Sequence, residues 1–583
     1  MECLANLKKF LQNVFLFKEP EEKETFILEE TRQEKEELIE ETRQEKEELR
    51  STDSKKGGII SSFFSPKGKK EDESDELEEV SKDINKNLEY IKKTYNYPDN
   101  GDLIIREFKV VAKDKNLDAF IVLFDGMVDS NIVDSHILKP LMLLSNVEVK
   151  GKEKDLAQYI NNHLISHSQV KMTKKMNDVI EEVNFGGAGL FIDEIDCAFA
   201  CDVKGWVQRQ VDKPITEIVI RGPQEAFTEG LRINTALVRK TLKDENLVVE
   251  NFKVGRRSKT PCALMYIKDI ANESLVEEAR RRLNNINVDF IFDSGELEQL
   301  LEDSTFLPQP QMLSTERPDR TANMIAQGRL AILMHGSPFA LIMPITNSDL
   351  LHSPEDAYVR FPYSNLFRIV RFVAVILSLL LPGLYVAITN FHHEMIPTDL
   401  LIAIESSREA VPFPSVMEIL IMEFAFELIR EAGIRIPGPI GPTLGIIGAL
   451  ILGQAAVAAN IVSPILIIIV AVTGIGSFAV PNFAHAFSFR ILRFVYIILA
   501  ALTGFLGITL GIFVHGIILV SSKSFGVPFM APLGPRTSDG VTDKLLRSPI
   551  WKQENRPDYL NVQKQRKQPK ISREWAEREK KKR

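Results

Sequence analysis

The sequence of 583 residues contains only four cysteines, Cys3, Cys197, Cys201 and Cys262. Four scattered thiols do not make the disulfide framework that holds small secreted domains together. Cys197 and Cys201 are close in sequence, but no second pair and no nearby histidine completes a zinc site. The sequence therefore predicts neither a disulfide scaffold nor a structural metal.

Motifs that would indicate an enzyme are also missing. We find no glycine-rich phosphate loop, no nucleophile elbow and no HExxH helix. Asp193, Glu194 and Asp196 form an acidic cluster, but acids at a strand turn more often solvate or cap the turn than bind a metal. The net charge of −8 is modest for this length and does not indicate a nucleic acid partner. We expect no enzymatic activity, no cofactor and no bound metal.

A secretory signal peptide is not evident at the N-terminus. The first residues, MECLANLKKFLQNVFLF, lack a long apolar core and a small-residue cleavage site. We therefore expect the N-terminal region to stay in the cytoplasm.

Residues 1–84 are expected to be a charged extension and linker. Residues 29–50 contain an eleven-residue repeat, EETRQEKEELI followed by EETRQEKEELR. Eleven residues make close to three helical turns, so each face recurs, but only Leu38 and Leu49 are apolar on that face. This favours a solvated helix or tether over a right-handed coiled coil.

Residues 85–210 are predicted to form a first α/β subdomain. The run LDAFIVLFDGMVD (117–129) indicates a buried strand that ends in an Asp-Gly turn. The run GGAGLFIDEIDCAFACDVKGW (186–206) indicates strand, turn and strand. Strands that alternate with helical segments imply a mixed α/β layer.

Residues 211–355 are predicted to form a second α/β subdomain. We expect a strand at EIVIRG (217–222), a strand pair over residues 246–270 and a β-hairpin over residues 329–345. The hairpin halves are each too short to cross a bilayer.

Residues 356–535 are predicted to form a helical, polytopic membrane domain. Four stretches are long and apolar enough to span hydrocarbon, namely 372–391, 438–460, 464–483 and 491–520. An even number of spans agrees with two cytoplasmic termini. The basic tail, 536–583, is predicted either to lie on anionic lipid or to be a solvated end.

The segment 397–435 differs from the spans because it carries acids at helical spacing. We expect an amphipathic or re-entrant helix, with Glu427 placed to pair with Arg430 three residues later. Glu418, Glu423, Glu427 and Arg430 are candidates for an acidic vestibule or a coupling element. An ordinary charged interfacial face is the alternative.

The span 438–460 contains a line of residues with polar side chains at two levels. Thr443 and Gln454 are eleven residues apart, so they face nearly the same direction, and Ile447, Leu450 and Val457 fall near the same line. The rest of the helix is rich in Gly and Ala, which permits close packing in lipid. From the residues alone, the line either lines a pore or lets Gln454 bond across a helix interface.

Several long blocks of this sequence resemble one known family. They are SREAVPFP, MEFAFELIREAGIRIP, IGPTLGIIGALILGQAAVAANIVSP and ILIIIVAVTGIGSFAVP, together with RGPQEAFTEGLRINTALVR (221–239) and GRLAILMHGSPFALIMP (328–344). In this order they are similar to the GerA family, the A subunits of bacterial spore germinant receptors, over residues 85–535.

The resemblance implies a multi-pass protein of the spore inner membrane that works with a transporter-like B subunit and a lipoprotein C subunit. It also implies that A subunits oligomerise into a ligand-gated ion channel opened in response to a nutrient. With this resemblance, pore lining becomes the favoured interpretation of the Thr443–Gln454 line. A solute transporter-like subunit and a non-conducting scaffold stay open, and the sequence does not name the nutrient.

Overall fold

The computed structural model describes residues 79–112, 115–143, 156–205, 213–214, 216–435, 448, 451–537 and 546–568. The eleven-residue repeat lies outside the described residues, as does nearly all of the predicted extension. The described residues form two antiparallel sheets with helices on their faces, followed by a helical region.

The first sheet has five strands in the order β1-β2-β4-β5-β3, and every pairing is antiparallel. Its strands are β1 (Leu103–Ala112), β2 (Lys115–Phe124), β3 (Val170–Thr173), β4 (Ala188–Ile192) and β5 (Ala198–Cys201). The core on one face of the sheet includes helices α1 (Ile84–Thr94) and α2 (Met176–Asn184). The core on the other face includes the helical segments 130–143 and 156–164. Successive residues of β2 alternate between these two cores, because a strand points its side chains to opposite faces.

The second sheet repeats this arrangement, with the order β6-β7-β9-β10-β8. Its strands are β6 (Leu247–Val254), β7 (Thr260–Ile267), β8 (Leu313–Thr315), β9 (Leu330–Met334) and β10 (Ala340–Met343). Its helices are α3 (Leu231–Thr241), α4 (Glu273–Asn285), α5 (Ser294–Leu301) and α6 (Pro318–Ile325). Each sheet thus consists of two hairpins with a single strand inserted between them in the chain, and that strand lies at the edge.

The structure confirms the predicted hairpin at 329–345 and the strand pair within 246–270. The strand expected at 217–222 is wrong: Ile218 and Ile220 are 77% and 91% exposed and pair with no strand. Glu217 is held instead by Arg320, at 2.5 Å. The α/β layers expected from alternating strands and helices are present. In the described strands, every pairing within these sheets is antiparallel.

A buried ion pair joins the two sheet units. Arg239 of α3 donates to both carboxylate oxygens of Asp102, at 2.6 and 2.7 Å, and to the side-chain oxygen of Asn100 at 2.9 Å. Its guanidinium also stacks 3.9 Å from the centre of the Phe124 ring. Asn100, Asp102 and Phe124 belong to the first unit, so this side chain links the two units, together with the bond from the Gly101 N–H to the Val249 oxygen at 2.8 Å.

We expect Arg239→Met to lower the free energy of unfolding by about 3–5 kcal/mol, because it leaves the Asp102 carboxylate buried without its partner. Thermal unfolding of the purified chain measures this loss. Arg232→Met is the matched control, since Arg232 is on the same helix but is largely exposed. Equal effects of the two substitutions would contradict the role given to Arg239.

The helical region is more broken than the sequence predicted, and its first helix begins before the span predicted at 372–391. Its helices are α7 (Phe361–Phe391), α8 (Thr398–Arg408), α9 (Ser415–Arg435), α10 (Pro464–Phe478), α11 (Phe483–Thr503) and α12 (Phe505–Ser521). Within the described residues, α7 and α11 are long and apolar enough to cross a bilayer, and α10 and α12 are apolar but shorter. The span predicted at 491–520 is in fact two helices.

Gly504 separates those two helices. Its φ of +62° is a conformation that L side chains rarely adopt, and a Cβ at this position would lie 3.1 Å from both His392 and Phe391. The chain therefore reverses at Gly504 against the end of α7. A run of apolar residues gives no sign of such a turn, which is why the sequence indicated one long span.

The chain returns to the second sheet after α12. A short hairpin, β11 (Lys523–Ser524) and β12 (Val527–Pro528), brings Phe525 and Phe529 into the cores of that sheet. Tyr559, Leu560 and Val562 are buried there as well, and the Tyr559 hydroxyl accepts a bond from Arg329 at 3.1 Å. A solvated end is therefore wrong for residues 546–568, which form part of the second unit; residues 538–545 and 569–583 lie outside the description.

Two half-buried acids at the end of α5 are expected to make the stability of the second unit depend on pH. Burial raises the pKa of both Glu298 and Glu302 to about 7, and repulsion from Glu302 adds to the effect on Glu298. An unfolded glutamate titrates near 4.3. The folded state therefore binds more protons between these values, and its stability falls as pH rises through that window.

We expect Glu298→Gln to flatten this dependence and to stabilise the chain at pH 8 by about 1–3 kcal/mol. Unfolding curves of the purified chain between pH 5 and pH 8 test it. Glu277→Gln on α4 removes an exposed acid and is the control. An unchanged slope in Glu298→Gln would rule the effect out.

Candidate functional site: buried ion pairs among apolar helices

The helices that follow α7 are arranged along it by contacts between distant residues. α9 begins beside the end of α7, because Ser415 donates to Asn390 at 2.8 Å. α9 ends near the end of α10, where Arg430 donates to Ser477 at 3.3 Å. Both helices therefore run antiparallel to α7. α11 runs parallel to α7, since Arg493 contacts Ser378 and Gly504 contacts His392 farther along.

A fully buried ion pair ties α7, α9 and α11 together. Arg493 of α11 donates to Glu423 of α9 at 2.5 Å, and their side chains are 1% and 0% exposed. The same guanidinium donates to the backbone oxygen and the hydroxyl of Ser378 of α7, at 2.8 and 3.1 Å. Ser378 is about 9 Å along the helix from Phe372, where the predicted span begins.

A second set of charges lies about one turn along α9. Glu427 accepts from Arg430 at 3.1 Å, as the spacing of three residues predicted, and from Arg490 of α11 at 3.3 Å. Arg490 also stacks 3.8 Å from the centre of the Phe487 ring. One carboxylate therefore stabilises two guanidiniums, and Ser477 of α10 accepts from one of them.

The third pair lies at the other end of α9. Glu418 is fully buried, 3.4 Å from Arg408 of α8, and it accepts from the backbone N–H of Ser463 at 3.0 Å. Ser463 is the N-cap of α10. A carboxylate at this position stabilises both the N-terminus of α10 and its contact with α8.

Small residues allow the helices to approach closely enough for these pairs to form. A Cβ on Gly476 of α10 would lie 2.9 Å from the backbone oxygen of Ala374 of α7, and one on Gly474 would meet the Phe426 ring of α9 at 2.5 Å. Gly383 of α7 faces the backbone oxygen of Tyr496 in the same way, at 3.2 Å. Close packing through small residues is typical of helices in lipid.

Of the five residues predicted to line a pore, the description includes Gln454 and Val457 only; Thr443, Ile447 and Leu450 lie outside it. Residues 451–458 are helical. Val457 packs against the helical core, whereas Gln454 is exposed. The pore assignment stays a prediction.

All four of the predicted vestibule or coupling residues, Glu418, Glu423, Glu427 and Arg430, are paired in the structure. Sequence reasoning missed the partners on α8 and α11, Arg408, Arg490 and Arg493. The signal was present: two arginines interrupt the apolar run FSFRILRFVYIILAA, and a charge inside such a run indicates a buried partner.

The acidic cluster near 193 has a structural role. Asp193 accepts from the backbone N–H of Ile84 at the start of α1, at 3.2 Å. Asp196 pairs with Lys174 at 2.8 Å, and this bond lowers the pKa of the Asp196 carboxyl. These contacts attach α1 and β3 to the turn between β4 and β5.

Residues 89–559 match a family described as Bacillus/Clostridium GerA spore germination protein. The chain belongs to the GerA family, the A subunits of bacterial spore germinant receptors. The match extends beyond residue 535 into the segment that packs on the second sheet. In this GerA-family chain, the buried pairs of α9 and the second sheet both fall within the matched residues.

Named relatives of this GerA-family chain cover most of its length. Spore germination protein KA of Bacillus subtilis is 42% identical over 482 residues, which are 83% of this chain and 87% of the relative. Spore germination protein GerLA of Bacillus cereus is 37% identical, over 79% of this chain and 93% of the relative. A Bacillus subtilis relative named uncharacterized membrane protein YfkQ is 38% identical, over 84% and 93%.

A crystal structure of the N-terminal domain of the A subunit of the Bacillus megaterium germinant receptor GerK3 is also similar. It is 32% identical and covers 45% of this chain and 95% of that domain, with a TM-score of 0.36.

We expect Glu423→Gln to lower the free energy of unfolding by about 3–5 kcal/mol, because it leaves the Arg493 guanidinium buried without a counter-charge. Thermal unfolding in detergent measures the loss. Glu431→Gln is the matched control, since Glu431 is an exposed acid on the same helix. The double change Glu423→Leu with Arg493→Met should recover most of the loss, and a double variant no better than Glu423→Gln would contradict the pairing.

Proposed function

We propose that this chain is the A subunit of a nutrient-responsive germinant receptor that spans the spore inner membrane and oligomerises into a ligand-gated ion channel. A transporter-like B subunit and a lipoprotein C subunit are its proposed partners. Both sheet units, 85–210 and 211–355, lie in the cytoplasm in this proposal, together with the two termini.

The directions of the helices support a membrane domain with an even number of crossings. The chain leaves the second sheet into α7 and rejoins it after α12, so it enters and leaves the helical region at the same end. α9 and α10 both run back towards that end, so the chain returns between residues 435 and 464. We propose six crossings, made by α7, α9, the span predicted at 438–460, α10, α11 and α12.

The outer surface of the helical region supports contact with lipid. α12 exposes a continuous apolar set, Leu506, Leu510, Phe513, Ile517 and Val520. α7 exposes Phe367, Val370, Phe372 and Val373 in the same way. A soluble chain rarely leaves apolar patches of this extent in water. Glu423 and Glu427 of α9 instead pair with Arg493 and Arg490 of α11, as expected of charges inside a membrane domain.

The position of Gln454 is the observation that carries the oligomeric channel. Gly453 and Ala456 turn towards the core, and Ile451, Gln454, Ala455 and Ala458 form the exposed stripe of their helix. An amide facing lipid would lose its hydrogen bonds. A ring of copies that brings this stripe to a shared aqueous axis satisfies the amide and places Ile451 one turn away as an apolar gate.

The ion pairs of α9 supply a means of gating in this proposal. Glu423 and Glu427 bind α9 to α11 through Arg493 and Arg490. A carboxylate shared between two guanidiniums has more than one arrangement that keeps every charge paired. Nutrient bound on the B subunit would shift the balance between a closed and an open arrangement, by its different affinity for the two.

We expect Gln454→Cys to react with a charged, membrane-impermeant thiol reagent in a chain whose own cysteines have been replaced, because the stripe faces water. Leu510→Cys is the control, since Leu510 is also exposed but lies on the proposed lipid face. In bilayers containing the three receptor subunits, Gln454→Leu should reduce nutrient-triggered conductance by roughly tenfold, equivalent to about 1.4 kcal/mol.

Other outcomes separate the competing functions. If the cysteine at position 454 does not react with the thiol reagent, either at rest or with nutrient, the pore assignment is wrong. If conductance were also absent from the wild-type complex, a scaffold would be left. Uptake of labelled nutrient by this subunit alone would favour a solute transporter.

A further inference from the structure

A cavity of about 720 Å³ lies where the second sheet unit meets the start of α7. Its walls come from three parts of the chain: α6, the connection 349–358 with Arg368 of α7, and the returning segment 546–567. We call it the basic cavity. Its volume is in the range of small-molecule sites, and it is separate from the ion pairs of α9.

One wall of the basic cavity has more positive than negative charge. Asp356 is paired with Arg371 at 2.9 Å and lies 3.5 Å from Arg368. The buried Arg547 contacts the same turn, but through the backbone oxygens of Asp356, Ala357 and Val359. Three guanidiniums therefore surround one carboxylate.

Two of the other acids beside the cavity are neutralised by their own partners. Asp349 pairs with the buried Arg329 at 2.7 Å, and Asp319 pairs with Arg317 at 2.9 Å. Neither carboxylate is available to offset the excess charge around Asp356.

The wall formed by the returning segment is also basic. Within the described part of the chain, Arg556 donates to three backbone oxygens, those of Ala326, Lys564 and Arg566, and to no carboxylate. Lys552 and Lys567 lie exposed at the rim, and among the described residues their amino groups have no carboxylate partner. Glu554 is the acid on this wall.

Burial lowers the pKa of the Arg547 and Arg556 guanidiniums. A negative charge placed beside either guanidinium would therefore stabilise that cation in its charged state. Guanidiniums bind the oxygens of a phosphate through parallel bonds, and a phosphate has enough oxygens to contact cations from both walls.

We infer that the basic cavity binds a phosphate group, presented either by an anionic phospholipid headgroup or by a soluble phosphate ester. Exposed apolar side chains of Ile550 and Trp551 stand next to the cavity, beside the start of α7. The lipid source rests on the proposed membrane location. The soluble source does not.

The test uses the full chain in nanodiscs of two compositions. In phosphatidylcholine nanodiscs, binding of glycerol 3-phosphate is followed by calorimetry and by the shift in unfolding temperature. In nanodiscs that contain phosphatidylglycerol, native mass spectrometry counts the anionic lipids that the chain retains after release. Binding of glycerol 3-phosphate in the first arm identifies a soluble phosphate ester as the source. Retention of phosphatidylglycerol in the second arm identifies the lipid as the source. Each of these results supports the cavity as a phosphate site.

The decisive variant is the double change Lys552→Gln with Lys567→Gln, which removes two rim charges that make no ion pair with a carboxylate in the described part of the chain. We expect it to weaken binding or retention by about tenfold. Lys564→Gln with Arg566→Gln is the control, since it removes two charges from the same segment outside the cavity; because Lys564 pairs with Asp269, the unfolding temperature of this control is measured alongside. No binding in either arm, or equal weakening by both double variants, would overturn the proposal. An effect on nutrient-triggered conductance is not part of this readout, so failure here leaves the proposed function standing.

Discussion

The ion pair of Arg493 and Glu423 sets the geometry of the helical region. Neither group can be exposed to lipid or left unpaired without a penalty of several kcal/mol. Because Arg493 also donates to Ser378, α7, α9 and α11 must meet at one level. This requirement explains why α9, whose acids suggest a helix on the membrane surface, instead runs the length of α7. It also explains the glycines at 476 and 383, since larger residues there would separate the backbones.

The parts of the fold that sequence reasoning predicted are those decided by neighbours in the chain. Both hairpins of the second sheet follow from local alternation and turn residues, and the Glu427–Arg430 pair from helical spacing. The failures come from contacts at long range. The apolar residues of EIVIRG have the right composition for a strand, but the segment pairs with no strand and is held through Glu217, whose carboxylate contacts Arg320. The partner of Glu423 is 70 residues away in the chain, so periodicity cannot reveal it. The bend at Gly504 is set by the end of α7, which the local sequence does not contain.

The chain closes on itself in the second sheet unit. Phe525 and Phe529 enter its cores directly after α12, and Tyr559 and Val562 follow from the returning segment. Gln309, in the loop before β8, reaches His515 of α12 at 2.9 Å, about two turns above the end of that helix. α12 is therefore fixed to the second sheet both through the chain and through a side-chain bond. The first sheet has the same strand order but lacks these additions, and Arg239 connects it to the second.

These attachments decide which motions the structure permits. A shift of α12 must carry the β11–β12 hairpin with it, because Phe525 is packed in the sheet's core and its N–H is bonded to Asp303 at 2.6 Å. α7 is held to the same unit through Arg371 and Asp356, so α7 and α12 share one rigid base. Among the described residues, no ion pair and no buried aromatic side chain ties helix 451–458 to that base. Helix 451–458 packs through Gly453, Ala456 and Val457. On the proposed function, opening would therefore involve the Gln454 helix moving against a frame of α7, α11 and α12. Glu423 would hold α9 to that frame through Arg493, while Glu427 would change how it is shared between Arg430 and Arg490.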